Sequence, residues 1–406
     1  MTSYDFERDL VSWLDEAGAP QMPDYVDELL DRARRTTQRP AWASLERWFP
    51  RLTSRSTGLR PALMVLALLA LIALAATAAV LGSHPTPRIP MPASGWIVTT
   101  GPAGTVLIDP DTGRSSAVPG LSSKLYEPVL SPDATRVAGW LGEDGSQLAI
   151  VGLDGSGPRV IARGIAHHAL GGSAVRWSPD GRSICYPAFG TDRATEALYV
   201  ADVSRDSAAR MIPVSDAAPN AAWSPDGSSI AFGSGASMGL FVARADVSAV
   251  RRLNDVAPTS RPSIYNLSWS PDSRWLVMDG RADDGDEALF LVDAVTGETT
   301  TYSPADGRYM SPSWAPNGAW IAYLSVVWIE DRQDFDVALW IAHPDGTQRS
   351  AIATDVDGVP VWAPDSASLL ALKDGRIVRV PIAGGQIRPL GPGNIEWIGT
   401  WAGGAR

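Results

Sequence analysis

The sequence predicts an all-β protein, a seven-bladed β-propeller with a six-bladed ring as the alternative, preceded by an N-terminal α-helical segment and one transmembrane helix. Three observations carry this. A Trp-Ser-Pro-Asp-Gly pentapeptide recurs through the C-terminal three-quarters of the chain. Short apolar runs of strand length follow each copy in the same order. Residues 62–81, from Ala62 to Leu81, carry no charge and have Thr77 as their one polar side chain.

The repeat comes first because it fixes the architecture. Trp177-Ser178-Pro179-Asp180-Gly181 returns as Trp223–Gly227 and Trp269–Ser273, then as Trp314-Ala315-Pro316-Asn317-Gly318 and Trp362-Ala363-Pro364-Asp365-Ser366. Leu130-Ser131-Pro132-Asp133 is a degenerate first copy, and the successive spacings from Leu130 are 47, 46, 46, 45 and 48 residues. Within a unit, a strand ends in Trp, whose ring can fill the space between adjacent sheets. Ser, Pro, Asp and Gly then suit the four places of a type I turn. Second, third and fourth strands follow, as in Ser229–Phe232, Leu240–Ala243 and Val250–Leu253. Four short antiparallel strands in roughly 46 residues make one propeller blade.

The ends set the blade count. Ile395-Glu396-Trp397 reads as a first strand with nothing after it, while Trp96–Thr99, Thr105–Ile108 and Ser116–Val118 read as second, third and fourth strands with no first. Joined, they complete a seventh blade and remove the open sheet edges. The repeated residues resemble the TolB-type repeat, also called PD40 or WD40-like, over about residues 95–401. TolB has six blades, so the resemblance leaves six as the alternative.

The apolar stretch is the next element. Twenty helical residues at about 1.5 Å each span roughly 30 Å, the thickness of a hydrocarbon core. Arg47, Arg51, Arg55 and Arg60 precede it and Arg88 follows, so the N-terminus is expected in the cytoplasm and the propeller outside. Sixty residues precede the stretch, which suits a signal anchor rather than a cleaved signal peptide. The expected domains are a cytoplasmic helical segment (1–60), the anchor (61–82), a Pro-rich linker (83–94) and the propeller (95–406).

In the first segment, Phe6, Leu10, Trp13 and Leu14 recur at helical spacing. Residues 1–31 hold nine acidic side chains and one Arg, whereas residues 32–60 hold eight Arg and one Glu. The basic half answers to topology and lipid. The acidic amphipathic half is too small to bury a core of its own and is expected to bind a cytoplasmic regulatory protein. Pro23–Leu30, Gln38–Trp42 and Glu46–Trp48 resemble a leader seen in membrane-anchored propeller proteins of GC-rich bacteria, some of which act as anti-sigma factors. The zinc anti-sigma motif needs clustered His and Cys, and neither occurs before His84.

Net charge of −11 argues against nucleic-acid binding. One cysteine, Cys185, rules out an intramolecular disulfide and sits in an expected strand as a small buried hydrophobe. The turn aspartates recur once per blade, as a fold requires and a reaction does not. Gly235-Ala236-Ser237-Met238-Gly239 spells a nucleophile elbow, but it falls between two strands of a blade. No catalytic residue, metal ligand or cofactor is expected, and neither acidic run has the ligand spacing of a calcium loop.

Binding is instead expected on the connections that follow strands two and four, which read as long and irregular. They carry His167 and His168 in 164–174, the 187–196 segment, and Tyr265 in 254–266. They also carry Asp283, Asp284, Asp286 and Glu287 in 280–287, and Trp328, Glu330, Asp331, Arg332, Asp334 and Asp336 in 325–336. The connections after strands one and three read as uniformly tight. The function expected is extracytoplasmic binding or sensing of a protein or peptide ligand. A purely structural envelope scaffold is the second reading. An enzyme, lactonase-like or peptidase-like, is the third.

Overall fold

The computed structural model describes residues 90–142, 146–163, 175–189, 196–205, 208–213, 217–234, 239–254, 266–281, 287–302, 308–331 and 333–403. The chain divides into two compact units, Met1–His84 and Pro85–Arg406, and every described residue belongs to the second. The expected N-terminal helices, with Phe6, Leu10, Trp13 and Leu14, and the apolar stretch 62–81 lie outside the described residues.

Seven four-stranded antiparallel sheets make up the second unit. The first holds β1 (Trp96–Gly101), β2 (Gly104–Ile108) and β3 (Ser115–Ala117), with β28 (Trp397–Ala402) as its innermost strand. The second holds β4 (Leu125–Leu130), β5 (Arg136–Leu141), β6 (Gln147–Gly152) and β7 (Gly157–Arg163). The third holds β8 (Arg176–Trp177), β9 (Ser183–Phe189), β10 (Glu196–Asp202) and β11 (Arg210–Met211), and the fourth β12 (Ala217–Trp223), β13 (Ser229–Ser234), β14 (Gly239–Arg244) and β15 (Val250–Asn254). The fifth comprises β16 (Leu267–Trp269), β17 (Trp275–Arg281), β18 (Glu287–Asp293) and β19 (Thr299–Tyr302). The sixth comprises β20 (Arg308–Trp314), β21 (Ile321–Ile329), β22 (Asp334–Ala342) and β23 (Ser350–Thr354). The seventh comprises β24 (Asp357–Trp362), β25 (Ser368–Lys373), β26 (Arg376–Pro381) and β27 (Arg388–Leu390).

Successive first strands touch in turn, β4 to β8, β12, β16, β20, β24 and β28, and β28 returns to β4. The ring is closed, and by the last strand of the chain pairing with the first. That strand lies later than the sequence reading placed it. Ile395 and Glu396 precede it, donating N–H to Gly375 O and Thr100 O at 2.9 Å, and Trp401, not Trp397, takes the place of the repeated tryptophan at the end of a first strand. Gly399 allows the closure, because a Cβ there would stand 2.1 Å from Pro128 O of β4.

The repeated pentapeptide acts at two levels. Locally it is a type I turn followed by a residue at positive φ. Gly181 and Gly227 donate N–H to Ser178 O and Ser224 O at 2.8 Å, with φ of 66° and 73°. Between blades, the indole reaches back to the preceding first strand. Trp177 Nε1 donates to Val129 O (3.2 Å), Trp223 to Arg176 O (3.2 Å), Trp269 to Ala222 O (3.0 Å) and Trp362 to Ser313 O (3.2 Å). In each case the acceptor is the residue just before the equivalent position one blade earlier. The ring is thus indexed by a buried aromatic that must also find its one polar partner. Trp314 breaks the series. Its Nε1 has no partner among the described residues, and its backbone N–H takes Ser268 Oγ at 3.1 Å.

Packing between sheets fills the remainder. One cluster joins Val129, Trp140 and Ile150 of the second blade to Trp177 and Ile184 of the third, and similar clusters recur around the ring. Cys185 is buried in such a cluster, and burial pushes its thiol up to about 12.

Candidate functional site

Antiparallel order puts the connections after strands one and three on one side of the ring and those after strands two and four on the other. On the first side the recurrent carboxylates are committed to their own turns. Ser178 Oγ donates to Asp180 Oδ1 at 2.6 Å, and Asp180 accepts the Arg182 N–H at 3.0 Å. The same Ser hydroxyl accepts the Ser183 N–H at 2.9 Å. Ser131–Asp133, Ser224–Asp226 and Ser270–Asp272 repeat the arrangement. The Ser178 and Ser270 hydroxyls hold Asp180 and Asp272 below the usual carboxylate range. These are anions spent on turn geometry.

A second carboxylate on the same side also recurs, and sequence reasoning missed it. Asp202, Asp246 and Asp345 each accept both the N–H and the hydroxyl of the Ser or Thr two residues on, Ser204, Ser248 and Thr347. The signal was the Asp-x-Ser/Thr spacing between third and fourth strands. Tight turns close two of these connections: the Gly155 N–H donates to Gly152 O at 3.2 Å and the Gly346 N–H to His343 O at 2.9 Å.

The opposite side departs from the sequence reading. Connections after strand four are uneven, from 355–356 between β23 and β24 to 164–175 and 255–266, and those after strand two join antiparallel neighbours, as closely as at 102–103 and 374–375. Strands β9 and β17 run to Phe189 and Arg281, β10 and β18 begin at Glu196 and Glu287, and the 325–336 segment is not a loop at all. Strands β21 and β22 pair without interruption from Ile321↔Ala342 to Ile329↔Asp334, and only Glu330–Gln333 form the turn. Trp328, Asp334 and Asp336 are therefore strand residues. Pairing overrides the low strand propensity of the aspartates at the hairpin's end, where Asp334 is exposed and Asp336 half-buried.

This hairpin is the described part of the expected site. Trp328 and Phe335 are a cross-strand pair with ring centroids 4.7 Å apart at 65°, and they are 46% and 47% exposed. Val327, on the other face, is 40% exposed. Glu330 and Asp331 are exposed in the turn, Asp334 is exposed on the same face as Val327, and Asp336 is half-buried. Gln333, at φ 53°, closes the turn through Nε2 and backbone bonds to Glu330 O at 2.9 and 3.3 Å. Among the described residues, three of eight exposed large hydrophobic side chains belong to this one hairpin, which marks it off from the rest of the surface.

Beneath that side, sequence reasoning missed Asp279. Its carboxylate is 5% exposed and accepts the N–H groups of Asn266 (3.1 Å) and Ser311 (3.3 Å), while Asn266 Nδ2 donates to Ser311 Oγ at 3.1 Å. It ties the first strands of the fifth and sixth blades together. The signal was a charge ending the apolar run Leu276-Val277-Met278.

His167, His168, Tyr265, Asp283, Asp284, Asp286 and Arg332 lie outside the described residues. Glu287 opens β18, and its side chain lies outside them too. Among the described residues no three His, Cys, Asp or Glu side chains gather as metal ligands. The Gly235–Gly239 motif joins β13 to β14, so a strand follows where a nucleophile elbow needs a helix.

With this geometry in place, known proteins supply a frame. The family model described as the TolB beta propeller domain matches residues 147–380. A curated relative, "Uncharacterized peptidase YuxL" of Bacillus subtilis, is 25% identical over 155 residues, which cover 36% of this chain and 21% of that protein. Among solved structures, TolB from Acinetobacter baumannii is 16% identical with a TM-score of 0.44, covering 75% of this chain and 69% of that one. The oligogalacturonate lyase of Vibrio parahaemolyticus is 12% identical with a TM-score of 0.51, covering 71% and 86%. At these identities the likenesses concern the fold.

Proposed function

The chain belongs to the TolB β-propeller family, and from that premise we propose that it is a membrane-anchored binding or sensing module, not an enzyme, that takes a protein or peptide ligand outside the cytoplasm. The observation that carries the reading is the exposed aromatic hairpin of β21 and β22 on the side opposite the S-P-D turns. On the S-P-D side the aspartates are engaged within their own turns. The chain also enters the ring there: Trp96 pairs with Ala402, Trp401 Nε1 donates to Ser94 O at 2.6 Å, and the Ser94 N–H donates to Asp111 at 3.2 Å. The reading puts the ligand on the other side.

A photo-reactive amino acid at position 328, compared with one at position 226, tests the assignment in cells. Adducts at 328 and none at 226 are expected; the reverse pattern overturns it. The anchor reading rests on the apolar stretch 62–81 and its arginine flank. Protease added to spheroplasts should digest residues 95–406 and spare an N-terminal tag, and a protected propeller would defeat it. The signalling limb rests on the acidic amphipathic pattern of Phe6, Leu10, Trp13 and Leu14. Residues 1–60 should capture a cytoplasmic protein, such as a sigma factor, and Leu10→Asp should release it.

A further inference from the structure

The hairpin's chemistry narrows the ligand. Its strands outlast the blade's packing: Val337 lies against the core cluster of the sixth and seventh blades, and the same face continues outward to Phe335 and its partner Trp328 with nothing described above them. A solvent-facing Trp–Phe pair at a strand end costs solubility and contributes little to the ring, so its natural complement is a partner's side chain. The frame decides which kind. Residues 330–336 hold four carboxylates and one arginine. Glu330 and Asp331 are exposed in the turn that follows the ring pair, while Asp334, paired with Ile329, is exposed on the opposite face. An anionic lipid surface or an acidic partner would be repelled there. A guanidinium or ammonium would meet both the electron-rich ring faces and the carboxylates.

We propose that the tip of the β21–β22 hairpin docks a cationic, apolar-interleaved polypeptide segment, with Trp328 and Phe335 receiving its side chains and Glu330 and Asp331 of the turn pairing with its arginines or lysines. This rests on the face assignment above and deepens it. Arginine is the better fit, because a planar guanidinium can stack on the indole while its edge donates to a carboxylate.

The test uses the full chain in non-ionic detergent and a fluorescein-labelled octapeptide alternating Arg and Leu, followed by anisotropy. Binding should weaken about tenfold or more in Trp328→Ala and in the double variant Glu330→Gln, Asp331→Asn. It should also weaken steeply with added salt, as screened exposed pairs do. Trp328→Phe should retain most of the affinity, and all variants should melt as the parent does, because the side chains are exposed. Equal binding of a Ser-Leu octapeptide, or indifference to the double variant, overturns the proposal. So does tighter binding of a neutral chito-oligosaccharide at the same tip, which would assign the rings to sugar stacking. Cross-links at position 328 with no peptide binding would reject the cationic chemistry and keep the face. No cross-links at 328 would remove the face itself.

Discussion

Ser224→Ala tests the claim that the S-P-D aspartates are structural. Ser224 is 1% exposed, and its hydroxyl accepts the Ser229 N–H at 3.0 Å while donating to Asp226 Oδ1 at 2.5 Å. The backbone turn itself should survive, because the sixth and seventh blades carry Ala315 and Ala363 at this position. They keep the same bonds there: Gly318 and Ser366 donate to the alanine carbonyls at 2.9 Å. What is lost is one neutral and one charge-assisted hydrogen bond, about 2 kcal/mol together. Asp226→Ala loses the same Ser224 bond and its bonds from Ser228 N and Oγ (2.9 and 3.0 Å), which are exposed and weaker, so about 1–2 kcal/mol is expected. Because one bond is shared, the double variant should fall short of the sum by about 1 kcal/mol. The converse change, Ala363→Ser, restores the pair with Asp365 and should gain about 1 kcal/mol. Urea titration of the full chain reads all four as midpoint shifts at constant slope. Strict additivity of Ser224 and Asp226, or a neutral Ser224→Ala, would refute the coupled-turn account.

The ring was legible because its signal is periodic and local. Each strand that follows a Trp-Ser-Pro-Asp copy lies where alternation puts it, and Ser229–Phe232 falls inside β13 as read. Closure was legible as topology but not as register. Ile395-Glu396-Trp397 offers a short run ending in Trp as the other blades do, and neither it nor Trp401-Ala402-Gly403 is followed by the Pro and Asp that would fix the register. What selects Trp401 is packing against Ala363 and Leu370 and the indole bond to Ser94, which are contacts no window of sequence contains. The hairpin failed differently. A run of aspartates reads as loop, whereas its pairing is inherited from Val326↔Val337 further in. Asp279 shows in the sequence only as a charge ending an apolar run, because its partners, Asn266 just before β16 and Ser311 in β20, come from other parts of the chain.

Two further expectations follow from the same geometry. Stability at acid pH should depend on the turn carboxylates. The Ser178 and Ser270 hydroxyls depress Asp180 and Asp272 in the folded state, so their contribution is complete above the ordinary value of 3.8 and is lost as pH falls through the lower folded value. Melting temperatures between about pH 5 and pH 2 should fall, and less steeply in Ser178→Ala, whereas an equal slope would remove the hydroxyl as the cause. The last comparison sets two tryptophans of one chain against each other. Trp401 is 7% exposed, donates to Ser94 O, and lies under the Arg379 guanidinium at 5.1 Å, in the strand that closes the ring. Removing it leaves a cavity between the first and seventh blades, and Trp401→Ala should cost about 3–5 kcal/mol. Trp328 is 46% exposed and meets Phe335 edge-on at 65°, so Trp328→Ala should cost under about 1 kcal/mol. Calorimetry of the two variants beside the parent separates a residue that holds the ring from one that the ring holds out to a partner. Equal losses would mean that the hairpin tip belongs to the core, and the binding face would have to be sought elsewhere.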